Sequence, residues 1–392
     1  MSPDKPRAFL IILDGVGTGN APDASLYGDE GSDTLGNLSR ELGGLDLPNL
    51  QKLGLGNIID IEGMPPVTTP IACYGRMEEQ SAGKDSVTGH WEIAGLTTSE
   101  PFPVYPEGFP AEVVSLVEEV SGIEIIGNEV ASGTEIMARL GQQHVESGRL
   151  ILYTSADSVL QLLAHEEIVP IEELYRICEE IRRQLEPPHR MGRVIARPFI
   201  GKDGAFDRTP NRRDYSIKPP QDTILDQLIA KKYPVISIGK VDTLFDGKGF
   251  SSAEHTKNNA DGINRISSKI RDFDTGLIFA NLIDFDMLWG HRNDSEGFYK
   301  GLIELDKALP YWLELLRPDD LVIMTADHGN DPTTPSTDHS REQVPLLTWK
   351  GKGGNGLNLG KRKGFYDIAA TLGEFFDVDW NGEGVSFLQQ LN

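Results

Sequence analysis

Four short, β-branched and apolar runs constrain this chain most, because three of them stop at metal-binding side chains. Phe9 to Leu13 is followed by Asp14, and Leu277 to Ile283 by Asp284 and Asp286, with His291 five residues on. Leu321 to Thr325 is followed by Ala326, Asp327 and His328, and Val235 to Ile238 is the fourth run. Runs without polar alternation read as strands covered on both faces. Helical periods lie between them. Ile224, Leu225, Leu228 and Ile229 share one face of 222–232, and 300–316 has similar spacing. Strands alternating with helices predict an α/β fold with a mainly parallel sheet flanked by helices. Ligands of such sheets bind beyond the carboxyl ends of the strands. Asp14, Asp284, Asp286, His291, Asp327 and His328 are therefore expected to converge. His339 lies eleven residues after His328, near enough to fold back.

The middle of the chain has another texture. Pro101, Pro103, Pro106 and Pro110 make one stiff crossing, and Pro219 and Pro220 make a second. Between them, 124–126, 150–153 and 193–196 read as strands and 171–185 as a helix. This predicts a discontinuous catalytic core, 1–99 with 221–392, and an inserted smaller α/β cap over 100–220. The Gly- and Lys-rich stretch 351–364 reads as a flexible surface loop.

Charge and composition exclude several functions. With 37 Lys and Arg against 60 Asp and Glu, the net charge is −23. No basic footprint suits nucleic acid, and a phosphate ester would have to find a local positive pocket. No stretch approaches the roughly 18 apolar residues of a membrane helix. The N-terminus lacks the long apolar core and cleavage site of a signal peptide, so a cytoplasmic location is expected. Two cysteines preclude a disulfide framework. Cys178 lies on an apolar helical stripe with Leu174, Ile181 and Leu185, and Cys73 has no ligand pattern around it. No obligate protein partner is evident.

Carboxylates mixed with imidazoles suit divalent first-row metals, Mn²⁺ first and Zn²⁺ second, whereas an oxygen-dominated set would turn to Mg²⁺. Singly, each residue has an ordinary reading as a cap, a turn or a solvated histidine; the set together points to a metal site. The stretch QSAGKDSVTGHWEIAG adds hydroxyls at Ser81, Ser86 and Thr88. A serine hydroxyl becomes nucleophilic when a metal takes its proton, and Gly83 and Gly89 allow a phosphate to come close. His90 and Trp91 beside it are read as packing residues.

LDGVG, GKDSVTGHWE, NLIDFDMLWGHR, TADHGNDP and TDHSRE together resemble the phosphopentomutase family of the alkaline phosphatase superfamily. The resemblance runs from about residue 8 to the C-terminus. It includes GNEVASGTEI, LYTSADSVLQ, GRVIARPF, RTPNRRDY and ISIGK within and after the cap. It implies an alkaline-phosphatase-like core and an isomerase that interconverts ribose 1-phosphate and ribose 5-phosphate, with the 2-deoxyribose equivalents. Pentose phosphates would be the substrates, two divalent ions, usually Mn²⁺, the cofactors, and a sugar 1,6-bisphosphate the activator. Matched motif by motif, Asp14, Ser86, Asp327 and His328 would bind one ion, and Asp286, His291 and His339 the other. Asp284 has no ligand role and would be a supporting residue or a helix cap. Ser155, Asp157 and Val159 match positions near the sugar. Arg193, Arg208 and Lys240 match those that hold the distal phosphate. The family's threonine is replaced here by Ser86, which keeps the hydroxyl and loses the χ1 stiffness of a β-branched residue.

The implied mechanism passes phosphate from Ser86 to the sugar and back through a bisphosphate, with cap closure keeping water out. A related two-metal phosphatase or a cofactor-independent phosphoglycerate mutase would share Asp14, Ser86, Asp327 and His328. GRVIARP and RTPNR favour the pentose enzyme. A non-catalytic phosphate or metal sensor is disfavoured by a complete ligand set beside an intact hydroxyl.

Overall fold

The structure is a computed structural model and describes residues 5–155 and 158–391. In chain order its strands are β1 (Arg7–Leu13), β2 (Cys73–Met77), β3 (Ile125–Val130), β4 (Leu150–Thr154), β5 (Val159–His165), β6 (Arg193–Lys202) and β7 (Ala205–Arg208). Then follow β8 (Arg213–Ser216), β9 (Val235–Ile238), β10 (Ser252–Glu254), β11 (Gly276–Leu282), β12 (Leu321–Thr325), β13 (Val344–Lys350) and β14 (Asn358–Arg362). The chain divides into two compact units. Residues 1–100 and 219–392 form one, and 101–218 the other, so the divisions fall at Pro101 and Pro219.

The first unit holds an eight-stranded sheet in the order β10-β9-β11-β1-β12-β13-β2-β14. β9, β10, β11, β1 and β12 pair in parallel. β13 runs antiparallel between β12 and β2, and β14 lies parallel to β2. The sheet is thus mainly parallel, with β13 the reversed strand. Every residue of β1, β11 and β12 is buried, which accounts for their unbroken apolar runs. Register sets Leu13 beside Leu282 and Ile12 beside Thr325. The carboxyl ends of these three strands therefore open at the same edge. At the opposite end, buried Arg7 donates from Nε to Asp320 Oδ1 at 2.7 Å and from Nη1 to the Ile270 and Phe273 carbonyls. That ties the starts of β1 and β12 to the helix Asn259–Asp272.

The second unit holds β3-β4-β5-β6-β7, with β8 paired to β6. The helices Ala111–Ser121 and Ile171–Gln184 share one hydrophobic cluster with its strands. The helix Gly133–Ser147 contributes Ile136 and Met137 to another. Cys178 is buried in the first cluster with Leu174, Ile181 and Leu185, as its helical stripe predicts.

One expectation is corrected. Residues 351–364 are not merely a flexible loop, because Asn358–Arg362 is β14 and pairs with β2. Its Gly360 and exposed Lys361 suit an edge strand, where charge deters further pairing. Such a strand has no apolar signature.

Candidate metal centre and nucleophile

The loops leaving β1, β11 and β12 bring the acidic and imidazole side chains into two groups. Asp14, Asp327 and His328 form the first and Asp286, His291 and His339 the second, each with ligand atoms within 4.8 Å of one another. In the first, His328 Nε2 lies 3.4 Å from Asp14 Oδ1 and 3.3 Å from Asp327 Oδ2. In the second, His291 Nε2 is 3.2 Å from Asp286 Oδ2, and His339 Nε2 is 3.3 Å from Asp286 Oδ1. The groups adjoin, since the His328 and His339 ring centres are 4.1 Å apart.

The imidazoles are turned by their own backbone contacts. His291 Nδ1 lies 2.6 Å from the Thr337 carbonyl, and His328 Nδ1 lies 3.0 Å from that of Gly329. Each Nδ1 therefore carries a proton, and each Nε2 faces the carboxylates, an arrangement that suits metal ligation. Asp14 Oδ1 and Asp327 Oδ2 are buried and have no aligned hydrogen-bond donor among the described residues.

Electrostatics at the site follow from crowding. Burial pushes the Asp14 carboxyl up to about 6, and the Asp327 charge adds to the rise. Burial acts in the same sense on Asp327, but His328 and His90 outweigh it and bring that carboxyl down. On Asp286, too, burial is outweighed, and His339 and His291 hold the carboxyl well below its ordinary value. Burial disfavours charge on His328, yet Asp327 and Asp14 raise its pKa well above the usual imidazole range. Three buried carboxylates so close together require positive charge. Divalent cations supply it and displace imidazole protons as they bind. The donor set fits them.

Ser86 opens the helix Ser86–Ile93. Asp85 caps it, accepting from Val87 N at 2.9 Å and Thr88 N at 3.2 Å. Ser86 Oγ lies 3.1 Å from His328 Nε2. The helix reaches the β12 loop because Gly89 has no side chain. A Cβ there would sit 2.2 Å from the Asp327 carbonyl oxygen. His90, read from the sequence as packing, does stack on Phe279 at 5.7 Å. It also makes polar contacts, its Nδ1 lying 2.8 Å from the Ser86 carbonyl and 3.1 Å from Asp327 Oδ2. Trp91 is buried and donates Nε1–H to the Leu244 carbonyl. Asp284 stands outside both groups. Its Oδ2 accepts from Asn259 N at 2.7 Å, at the start of the helix Asn259–Asp272.

The remaining expected residues lie as follows. Lys240 is exposed, immediately after β9 and Gly239 in the first unit. In the second unit, Val159 opens β5 in register with Arg193, which lies 3.7 Å from Asp214. Ser155 follows β4, and Asp157 falls outside the described residues. Arg208 is in register with Phe199. Its Nη1 reaches back to within 3.5 Å of where a Gly133 side chain would begin, a point 2.7 Å from the buried Tyr153 hydroxyl. Tyr153, and Arg197 whose charge acts on its phenol, were not anticipated there. Nor were Asn281 and Asn330, which bond to Asp14 and Asp286. A signal existed for Asn281, since an amide inside an apolar strand must find a partner.

Comparison with known proteins agrees with this geometry. The model of the Metalloenzyme superfamily matches residues 6–380. The phosphopentomutase of Dictyoglomus turgidum is 54% identical over 385 residues, covering 98% of both chains. Those of Clostridium novyi and Carboxydothermus hydrogenoformans are 50% and 52% identical, each covering 98% of this chain and 99% of its own. Likeness at this level over nearly the whole length, joined to two ligand groups beside a helix-opening serine, shows that the chain belongs to the phosphopentomutase family of the metalloenzyme superfamily.

Proposed function

We propose that this chain interconverts ribose 1-phosphate and ribose 5-phosphate, and the 2-deoxyribose equivalents, by way of a phosphoryl group carried on Ser86. The observation that carries the reading is the 3.1 Å approach of Ser86 Oγ to His328 Nε2, beside the second ligand group. Asp14, Ser86, Asp327 and His328 would hold one divalent ion, and Asp286, His291 and His339 the other. The mixed oxygen and nitrogen donors favour Mn²⁺, then Zn²⁺, with Mg²⁺ the least suited. When bound, such ions stabilise the entering and leaving oxygens of an in-line transfer and lower the pKa of a bound hydroxyl.

The chain's own groups do the rest. The sugar hydroxyl attacks the phosphorus on Ser86, the phosphorus–Oγ bond breaks, and the hydroxyl proton ends on Oγ. The resulting 1,5-bisphosphate turns end for end, and Ser86 Oγ takes the other phosphate by the reverse step. Arg193, Arg208 and Lys240 would hold the phosphate that is not being transferred, because guanidinium forks match phosphate oxygens. Ser155, Asp157 and Val159 would contact the sugar. A sugar 1,6-bisphosphate would charge Ser86 at the outset. Product analysis tests the assignment. Ribose 5-phosphate formed from ribose 1-phosphate supports it, whereas free phosphate as the main product would make the chain a phosphatase.

A further inference from the structure

Each buried carboxylate of the two ligand groups is held by a donor from the strand or loop of a different strand. Asn281, on β11, donates from Nδ2 to Asp14 Oδ2 at 2.6 Å, just beyond β1. Asn330, beyond β12, donates from Nδ2 to Asp286 Oδ1 at 2.7 Å, beyond β11. Gly15 N, beyond β1, donates to Asp327 Oδ1 at 3.2 Å, beyond β12. The donors close a ring, β11 to β1, β1 to β12 and β12 to β11. Asn330 is fixed within it, because its backbone N–H donates to the Gly15 carbonyl at 2.8 Å.

Both amides are buried, and both leave Oδ1 without a hydrogen-bond partner among the described residues. Turning either amide over would bring its carbonyl oxygen against a carboxylate oxygen, so the N–H must face the acid. Buried polar atoms are seldom left unpaired, and tolerating two of them argues that the donor side is what the site requires. A neutral amide fixes one carboxylate oxygen and leaves the negative charge that attracts a cation; Lys or Arg would cancel it. Asp14 Oδ1, the oxygen that Asn281 does not touch, is buried without an aligned donor among the described residues and faces His328 Nε2.

We propose that Asn281 and Asn330 are positioning residues, one for each ligand group, which aim Asp14 and Asp286 at separate cations. This rests on the metal-holding reading of the two groups. The test is Mn²⁺ titration of the chelator-stripped full chain, with free Mn²⁺ followed by electron paramagnetic resonance. The two binding steps are assigned with Asp14→Ala and Asp286→Ala. Asn281→Leu should weaken the Asp14 step by about 10–100-fold, the usual effect of losing an outer-shell partner, and Asn330→Leu the Asp286 step by as much. The other step should stay within about threefold in each variant, by the same outer-shell reasoning. Asn281→Ser and Asn330→Ser decide the matter if either leucine variant fails to fold. Unchanged affinities, both steps weakened equally in each variant, or a lower melting point of the metal-free protein with both affinities intact would overturn the proposal. A wild-type chain that takes up no Mn²⁺ would instead remove the metal-holding reading, and the positioning role with it.

Discussion

Ser86 is both the first residue of its helix and a 3.1 Å neighbour of His328 Nε2. Ser86→Ala should therefore lose mutase activity by orders of magnitude while Mn²⁺ uptake persists, because the six carboxylate and imidazole groups proposed to hold the ions remain. Full activity in that variant would exclude Ser86 as the phosphate carrier. Arg208→Ala should mainly raise KM for the sugar phosphate; an unaltered substrate dependence would remove Arg208 from the phosphate site. At this scale the sequence was informative where a carboxylate followed an apolar run, as at Asp14 and Asp327, which the structure brings into one group. It was silent on Asn330 and the polar contacts of His90, whose partners lie on other loops, and for Asn281 it showed an amide in need of a partner but not that the partner is Asp14.

The helix Ser86–Ile93 approaches the β12 loop through a single missing side chain. Gly89→Ala must push the helix away from Asp327, since the new Cβ would overlap a backbone oxygen. We expect a loss of about 100-fold in kcat, the scale of a 1 Å misplacement of a reacting group, with the far-ultraviolet circular dichroism unchanged. Wild-type turnover would show that the close approach is dispensable. The strands β1, β11 and β12 could be read directly, because burial on both faces leaves a nearly continuous apolar run, and β9 shows the same texture although Ser237 interrupts it. β2 carries Gly75 and Arg76, and β14 carries Gly360 and Lys361, so neither shows such a run. Strand order was beyond the sequence altogether. The pairing of the reversed β13 with β2 joins segments more than 250 residues apart.

Two buried ionisable groups bear on the stability of the whole molecule. Asp320→Ala would strand the buried Arg7 guanidinium and should cost about 3–5 kcal/mol, read as a lower urea midpoint; an unmoved midpoint would argue against the tie between β1 and β12. Glu342 is fully buried and accepts from Thr34 N, Thr34 Oγ1, Ser340 Oγ and Gly19 N. Burial pushes its carboxyl from 4.5 up to about 7 despite those donors. The folded chain therefore binds this proton more tightly than the unfolded chain does. Its contribution falls as pH rises from about 4.5 to about 7, by about 3 kcal/mol in all. Glu342→Gln should remove that slope from the unfolding free energy, and an identical slope in both proteins would locate the titration elsewhere. The chain parts into two units near Pro101 and Pro219, where the sequence has its proline clusters, whereas the pairing of groups such as Glu342 with Thr34 left no mark in the sequence.

Intact mass of the full chain, before and after a sugar 1,6-bisphosphate, followed by peptide mapping, tests the account most directly. The account predicts a gain of one phosphate, located on Ser86. No gain, or a phosphate mapped to any other residue, would contradict it.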